Sequence, residues 1–324
     1  MKVLGIESTA HTLGIGVVDE DEIHCNVKSM FEPDEGGIHP REASEHHYQK
    51  ALQIINEVDQ KTEFELSEID AVAFSQGPGI QQCLEIGVVI ARTLALKYSA
   101  ELIGVNHCLA HISIGTRTTE AENPTTLYVS GGNTQIVEFR SGRYRVIGET
   151  LDTALGNALD KLARKLSYPH PGGPEIEKLA EKTDEIIETT YPIKGMDLSY
   201  SGLVTDMERK VGDEKDEVVA NTFQEYAYSA AVEALERAMA QSQSSEALLT
   251  GGVAMNTRLR EMVTKMCEER GAKAYFPPPE YCMDNGTMIA HQGLIQAKAG
   301  DRTEIEDSQV DPNWRPDEVK VSWI

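Results

Sequence analysis

The sequence lacks the features that would place it in a membrane or stabilise it with disulfides. None of its apolar runs approaches the roughly 20 residues that span a bilayer, and its first residues show no basic and apolar secretory pattern. Its five cysteines form no CxxC pair and are odd in number, which argues against a disulfide framework and a zinc ribbon. We therefore expect a cytoplasmic protein.

Basic residues are scarce as well. The chain has 30 Lys and Arg against 53 Asp and Glu, so its formal net charge is −23. Such a chain repels nucleic acid on average, and an RNA substrate would need a local basic patch or a basic partner. The length of 324 residues, with 40% hydrophobic and 26% charged residues, fits a globular enzyme of two lobes.

A histidine pair follows an apolar run at 102–105, which predicts a strand that leads into a helix. His107 and His111 are four residues apart, so they would share one face of that helix and could bind one metal ion. Two histidines can equally cap a helix or pack inside it, so the pair alone leaves both interpretations open.

The segment LYVSGGNTQ at 127–135 predicts a hairpin with a Gly-Gly turn. Because its turn carries no side chains, the backbone N–H groups there could approach phosphate oxygens closely. Taken by itself, an ordinary hairpin explains the same pattern.

The predicted elements occur twice in the same order, as two βββαβαβα units. The first unit has strands at 3–7, 13–18 and 23–28, a helix at 43–58, a strand at 71–75, a helix at 86–96, the strand 102–105 and the histidine helix. The second has strands near 127, 135 and 144, helices at 153–166 and 217–240, a strand at 247–250, a helix at 255–269, a strand at 273–276 and a helix from about 285.

This duplication predicts an α/β protein of two lobes with a central cleft, at 1–112 and 113–324. We expect a helical insertion around 184–216 in the second lobe, and the C-terminal segment could pack back on the first. A third glycine turn lies at 248–256, between a buried strand and a helix, a usual place for a nucleotide.

Three such turns in a duplicated frame resemble the actin, sugar-kinase and Hsp70-type ATPase (ASKHA) superfamily. Two departures stand out. Glu7 replaces the aspartate usual in the first hairpin, and Tyr128 replaces an acidic residue that would help to hold magnesium in the second.

A narrower resemblance covers the chain from about residue 3 to its end. The segments that carry it are GIESTAHTLG (5–14), GGIHPREASEHH (36–47), SQGPG (75–79), NHCLAH (106–111), YVSGGNTQ (128–135), ALGNALDKLAR (154–164), PGGPEIEKLA (171–180), GMDLSYSGL (195–203), TGGVAMN (250–256) and MDNGTMIA (283–290). Together they resemble the universal tRNA threonylcarbamoyladenosine synthase family. Asn157 and the tail WRPDEVKVSW (314–323) are similar to its archaeal and eukaryal branch, the catalytic subunit of the KEOPS complex.

The resemblance implies transfer of a threonylcarbamoyl group from threonylcarbamoyl-adenylate to the exocyclic amine of the adenosine 3′ of the anticodon, in tRNAs reading ANN codons. It implies a divalent metal, iron or zinc, on His107, His111 and Asp284, with the Tyr128 hydroxyl near the ion. The nucleotide, ATP or the carbamoyl-adenylate, is expected against Tyr128, Val129, Ser130, Gly131, Gly132, Asp160, Gly173, Glu177 and Asn256. As partners it implies a small kinase-like subunit, a dimerising subunit and a tRNA-binding subunit.

Several residues keep two interpretations. Glu7 could position the amine or a water, or it could only order the first hairpin. Cys108 is expected to pack in its helix. His46 and His47 could line the cleft, but a structural or solvated role is favoured. After the GPG turn the family commonly has small residues and an arginine, whereas this chain has Glu85, which puts a phosphate or tRNA contact there in doubt.

Two other functions remain as alternatives. A metallopeptidase of the HExxH type needs a glutamate after the first histidine, and Cys108 stands at that position. An ATP-binding regulatory scaffold without its own chemistry is compatible with the altered carboxylates, although the predicted metal ligands argue against it.

Overall fold

A computed structural model describes residues 1–33 and 37–324 of the chain. Gly36, the first residue of the predicted segment 36–47, lies outside the described residues. The described chain divides into two compact units. The first unit comprises Met1–Pro33, Ile38–Arg117 and Met283–Ile324, and the second comprises Gly37 and Thr118–Cys282.

The first unit is a five-stranded mixed sheet with helices packed against it. Its elements are β1 (Val3–Glu7), β2 (Thr12–Val18), β3 (Ile23–Met30), α1 (Pro40–Lys61), β4 (Ala71–Gly77), α2 (Gln81–Tyr98), β5 (Glu101–Asn106), α3 (His107–Thr118) and, late in the chain, α10 (Gly286–Lys298). The strand order is β3-β2-β1-β4-β5. The strands β1, β4 and β5 are parallel, whereas β2 pairs antiparallel with β1 and β3. Every residue of β1 and β2 is buried, as expected of strands covered on both faces.

The second unit repeats this arrangement. Its elements are β6 (Thr125–Val129), β7 (Thr134–Arg140), β8 (Arg143–Glu149), α4 (Leu155–Lys165), α5 (Gly172–Ala180), β9 (Ile193–Lys194), β10 (Asp197–Leu198), α6 (Ser201–Lys210), α7 (Asp216–Ser242), β11 (Glu246–Thr250), α8 (Thr257–Glu269), β12 (Lys273–Tyr275) and α9 (Pro279–Cys282). The strand order is β12-β11-β6-β7-β8, with β6, β11 and β12 parallel and β7 antiparallel to both of its neighbours. The order and the strand directions match those of the first unit, so the predicted duplication is present.

Helix α10 lies directly on the first sheet because two glycines let the backbones meet. A Cβ on Gly5 would lie 2.0 Å from the backbone nitrogen of Ala290, and one on Gly16 would lie 2.4 Å from that of Thr287. Either atom would force the helix away from the strands. The close approach fixes the start of α10, and with it the residue pair Asp284 and Asn285 that precedes the helix.

The structure divides the chain differently from the predicted lobes 1–112 and 113–324. The first unit continues to Arg117 and also includes 283–324, because α10 packs on β1, β2 and β4 of that unit rather than in the second. The predicted helical insertion at 184–216 contains only one full helix, α6, after an irregular stretch and the β9–β10 ribbon. Threonines 189 and 190 and Pro192 favour extended chain in this stretch.

The long helix α7 supplies much of the second core. Five of its alanines are fully buried, namely Ala227, Ala230, Ala231, Ala234 and Ala238. They belong to an internal core cluster together with strands β6 and β11. Within the described residues, no helix is both long and apolar enough to span a bilayer.

Candidate metal and nucleotide sites

The histidine helix α3 begins directly where strand β5 ends. The side-chain Oδ1 of Asn106 accepts hydrogen bonds from the backbone N–H groups of Cys108 and Leu109, at 3.1 and 3.2 Å. This is an N-cap, which satisfies amide groups that the first helical turn leaves unpaired. The cap places His107 at the first position of the helix and His111 one turn later.

Three side chains converge beside this turn. Oδ1 of Asp284 lies 3.2 Å from Nε2 of His111 and 3.6 Å from Nε2 of His107. The two rings are nearly perpendicular, at 85°, with their centroids 4.8 Å apart. Among the residues that the structure describes, these three form a group whose ligand atoms all lie within 4.8 Å of one another. All three belong to the first unit.

The spacing of these atoms fits a metal ion. Metal bonds of 2.0–2.1 Å in a tetrahedral arrangement place the ligand atoms about 3.3 Å apart. The two observed distances to the Asp284 oxygen, 3.2 and 3.6 Å, lie on either side of that value. Two imidazoles and one carboxylate are three of the four ligands in catalytic zinc sites, which keep a position for water or substrate. The donor set therefore suits a divalent metal.

Glu7 stands behind the first histidine. Its Oε2 lies 2.9 Å from Nδ1 of His107, and its Oε1 accepts hydrogen bonds from the backbone N–H and the hydroxyl of Thr9, at 2.6 and 2.5 Å. The Glu7 side chain is completely buried. A carboxylate that accepts from one ring nitrogen leaves the other nitrogen as the metal ligand and fixes the orientation of the ring. Glu7 thus both orders the hairpin and orients His107.

The charges in the cluster favour the metal-binding form of His111 and Asp284, but the protonated form of His107. Burial lowers the pKa of His111, which favours the neutral ring. Burial would raise the pKa of the Asp284 carboxyl, but the hydrogen bond from His111 and the charge of His107 hold it below its usual range. Burial also lowers the pKa of His107, but Glu7 and Asp284 outweigh this effect and raise it to about 9. A metal bound here would displace the proton of His107.

The Gly-Gly turn of the second unit rests on helix α4. The carbonyls of Ser130 and Gly131 accept hydrogen bonds from the N–H groups of Gly156 and Asn157, at 3.1 and 3.0 Å. A Cβ on Gly131 or on Gly132 would meet no atom within 4 Å, so the turn is open to an approaching group. The hydroxyl oxygen of Ser130 accepts from the N–H of Asn133 and closes the turn, at 3.0 Å.

The remaining predicted nucleotide residues are tied together by hydrogen bonds. Oδ1 of Asp160, on α4, accepts from the N–H of Gly172 at the start of α5, at 2.7 Å. Oε1 of Glu177, on α5, accepts from the N–H of Thr257 at the start of α8, at 2.7 Å. Asn256 caps α8 by accepting from the N–H of Leu259. Gly173 lies in the first turn of α5. These hydrogen bonds therefore connect the helices α4, α5 and α8, on which or next to which the predicted nucleotide residues lie.

Tyr128 and Val129 are fully buried in strand β6. Their side chains are part of the second unit, and the predicted place of the Tyr128 hydroxyl beside the metal stays a prediction.

Other residues singled out in the sequence have structural surroundings. Cys108 is buried, and its burial raises the pKa of the thiol, which disfavours a nucleophile or a general base. His46 bonds to the Ser29 hydroxyl at 2.9 Å. Burial lowers the pKa of His47 to about 4. Glu85 is exposed on α2 and accepts a hydrogen bond from Gln81.

Three residues that support the sites were missed in the sequence. Asn106 caps the histidine helix, and an asparagine before a helical pattern is a recognisable N-cap signal. Gly156 contacts the Gly-Gly turn, since a Cβ there would lie 2.6 Å from the Ser130 carbonyl oxygen. Gln224 accepts a hydrogen bond from Nδ2 of Asn256 at 3.2 Å and so orients that amide, a contact that no local pattern reveals.

Comparison with known proteins identifies the family of the chain. The model of a family described as tRNA N6-adenosine threonylcarbamoyltransferase matches residues 22–291. A protein of that name from Archaeoglobus fulgidus is 50% identical over 324 residues, which cover all of both chains. The chain belongs to this family. The predicted membership of the tRNA threonylcarbamoyladenosine synthase family is thus confirmed.

Some threonylcarbamoyltransferase relatives are longer. A Methanosarcina mazei protein named "Probable bifunctional tRNA threonylcarbamoyladenosine biosynthesis protein" is 49% identical over 99% of this chain, which spans 59% of its length. The solved structure of HypF from T. kodakarensis has a TM-score of 0.64 at 14% identity, over 92% of this chain and 47% of that one. At this identity the match concerns the fold alone, and it confirms the predicted ASKHA-type architecture.

Proposed function

We propose that this chain transfers the threonylcarbamoyl group of threonylcarbamoyl-adenylate to the exocyclic amine of the adenosine 3′ of the anticodon in tRNAs reading ANN codons. Membership of the family supports the reaction class. The observation that carries the proposal is the convergence of His107, His111 and Asp284, with Glu7 behind His107.

The three converging residues would hold the metal, iron or zinc, for which imidazole and carboxylate are suitable ligands. When bound, a divalent ion with an open position supplies a Lewis acid for a phosphate or carbonyl oxygen. The protein's part is to keep Nε2 of His107 facing Oδ1 of Asp284, which the hydrogen bond from Nδ1 to Glu7 achieves. Tyr128 is a further proposed ligand.

The second unit would bind the nucleotide part of the substrate. The open turn at Gly131 and Gly132 offers backbone N–H groups to phosphate oxygens, with no side chain in the way. Asp160 and Glu177 each use one carboxylate oxygen to hold a helix start. The second oxygen, which in Asp160 also lies 3.5 Å from Nδ1 of His170, can accept from a ribose hydroxyl. Gly173 allows a close approach, and Asn256 can contact the nucleoside.

The substrate is already activated, so the enzyme has to orient and stabilise rather than supply a nucleophile. The amine nitrogen bonds to the carbamoyl carbon, the bond from that carbon to the phosphate oxygen breaks, AMP leaves and the amine proton passes to water. No serine or cysteine takes part. The buried, high-pKa thiol of Cys108 agrees with this scheme.

We further propose that the protein is cytoplasmic and that basic partners present the tRNA, because the net charge of −23 disfavours binding of RNA by this chain alone. Partners of the KEOPS type fit this requirement: a small kinase-like subunit, a dimerising subunit and a tRNA-binding subunit. The word "bifunctional" in the names of longer relatives supports a second function that works with the matched part.

The test is transfer of labelled threonine to tRNA by the chain with these partners and a source of threonylcarbamoyl-adenylate. The wild type and a His24→Gln variant should label tRNA, since His24 bonds to Asp19 and is not one of the converging residues. His111→Ala should not label it. Equal labelling by the His111→Ala variant would remove the metal from the proposal. No labelling by the wild type, while a known synthase works in the same mixture, would favour the regulatory scaffold.

A further inference from the structure

An irregular segment near the carboxyl end is part of the first unit, which also contains the three converging residues. We call residues 307–316 the C-terminal strap. It is hydrogen-bonded to residues 76–79, which form the end of strand β4 and the turn that follows it. The N–H of Asp311 donates to the carbonyl of Gln76 at 2.8 Å, and the N–H of Gly79 donates to the carbonyl of Pro312 at 3.1 Å. The amide Nε2 of Gln76 donates to the carbonyl of Gln309 at 2.7 Å.

Two glycines allow the strap, the turn and the first hairpin to stack without side chains between them. A Cβ on Gly77 would lie 1.8 Å from the carbonyl oxygen of Asp311 in the strap. A Cβ on Gly79 would lie 2.6 Å from the carbonyl oxygen of Thr9 in the hairpin. The same Thr9 carbonyl accepts a hydrogen bond from the N–H of Ile80 at 2.7 Å. Movement of the strap would therefore be passed to Thr9.

Thr9 is connected to His107 through Glu7. Its N–H and hydroxyl both donate to Oε1 of Glu7, and the other oxygen of Glu7 lies 2.9 Å from Nδ1 of His107. One connection thus runs from the strap through the turn and the hairpin to the His107 ring.

A second connection is shorter. Nδ2 of Asn106 donates to the backbone carbonyl of Trp314 in the strap at 3.0 Å, while Oδ1 of the same side chain caps helix α3. Asn106 is buried, with an exposed fraction of 2%. Its amide therefore joins the strap to the helix turn that begins with His107.

We propose that the C-terminal strap is a positioning element for the metal site, and that it sets the orientation of His107 through Asn106 and through the Gly77 turn. The inference rests on the metal site of the proposed function. The two connections reach the converging residues through Asn106 and through Thr9 and Glu7, so the proposed effect of the strap is on the geometry of the ligands. Loss of partners that orient a metal ligand typically lowers metal affinity 10–100-fold.

The test compares two variants that disturb one connection each. Asn106→Asp keeps the oxygen that caps α3 but replaces the donor to the Trp314 carbonyl with an acceptor. Gly77→Ala pushes the strap away from the turn. Co²⁺ is the probe: its dissociation constant is measured against a competing chelator, and its visible spectrum reports the coordination geometry. The matched control is Gly202→Ala, an exposed site where a Cβ meets only the Thr190 hydroxyl at 3.9 Å.

We expect both variants to bind Co²⁺ at least about tenfold more weakly, with an altered visible spectrum, and the control to match the wild type. The added negative charge of Asn106→Asp would by itself favour a cation, so a loss of affinity must come from geometry. Wild-type affinity and spectrum in the folded Asn106→Asp variant would overturn the inference. If Gly77→Ala does not fold, Asn106→Asp alone decides. Failure of the wild type to bind Co²⁺ would instead contradict the metal site of the proposed function.

Discussion

Replacing Glu7 with glutamine is a direct test of how His107 is prepared for a metal. The change keeps the size of a fully buried side chain and removes its charge. In the wild type, Oε1 accepts from the N–H and the hydroxyl of Thr9, and Oε2 accepts from Nδ1 of His107. The glutamine oxygen can keep the two Thr9 bonds, so its NH₂ group will face Nδ1 of His107.

The consequence concerns the tautomer of His107. An NH₂ group can only donate, so Nδ1 must accept and the proton of a neutral ring lies on Nε2, whereas in the wild type a metal can displace the Nε2 proton while Nδ1–H still donates to Glu7. Nε2 is the atom that lies 3.6 Å from Oδ1 of Asp284, and a protonated nitrogen cannot bind a metal. We expect metal affinity to fall about 10–100-fold, which corresponds to ~1.4–2.8 kcal/mol.

The assay is Zn²⁺ binding in competition with a chelator, together with thermal unfolding of the metal-free protein. Glu138→Gln is the matched control, because Glu138 is a buried carboxylate that accepts from the Thr125 hydroxyl at 2.8 Å and contacts none of the converging residues. The control should bind zinc as the wild type does. Undiminished zinc affinity in a folded Glu7→Gln variant would refute the role assigned to Glu7.

Three other predictions follow from the surroundings of single residues. Gly156→Ala should weaken ATP binding at least about tenfold, or ~1.4 kcal/mol, because its Cβ would lie 2.6 Å from the Ser130 carbonyl oxygen and would displace the Gly-Gly turn. Unchanged binding in calorimetry would contradict the proposed contact of this turn with the nucleotide. Cys108 should resist thiol reagents at pH 8 in the native protein and tolerate replacement by alanine in the transfer assay, because burial raises its pKa; rapid labelling would contradict this. Burial raises the pKa of Asp152, but the hydrogen bonds that it accepts at the start of α6 outweigh this and lower it. The Asp152 carboxylate therefore stabilises the folded protein above pH ~3.9, the pKa of Asp in the unfolded chain. This stabilisation is lost as the pH falls through the lower pKa of Asp152 in the folded protein. Asp152→Asn should lower the free energy of unfolding in urea by about 0.5–1 kcal/mol at pH 7, a value reduced for the exposure of the side chain, and by less at pH 3. An equal loss at both pH values would contradict this role of the Asp152 carboxylate.

The local sequence determined the elements and their order. Short apolar and β-rich runs located the strands that became β1 to β8 and the helix that begins at His107, since the residue pattern of each element depends only on its own residues. The glycine turns and the four-residue spacing of His107 and His111 were also visible, because turns and helix faces are short-range features.

Only the tertiary structure decided which distant residues meet. Asp284 follows the second unit in the chain but belongs to the first, because α10 packs on Gly5 and Gly16. The hydrogen bond between Glu7 and His107 joins residues 100 positions apart, and the one between Asn106 and Trp314 joins residues 208 apart. Such contacts depend on the packing of whole sheets and helices, which no local pattern records. The sequence could therefore name the proposed metal ligands through a family resemblance, but not the contacts that hold them in place.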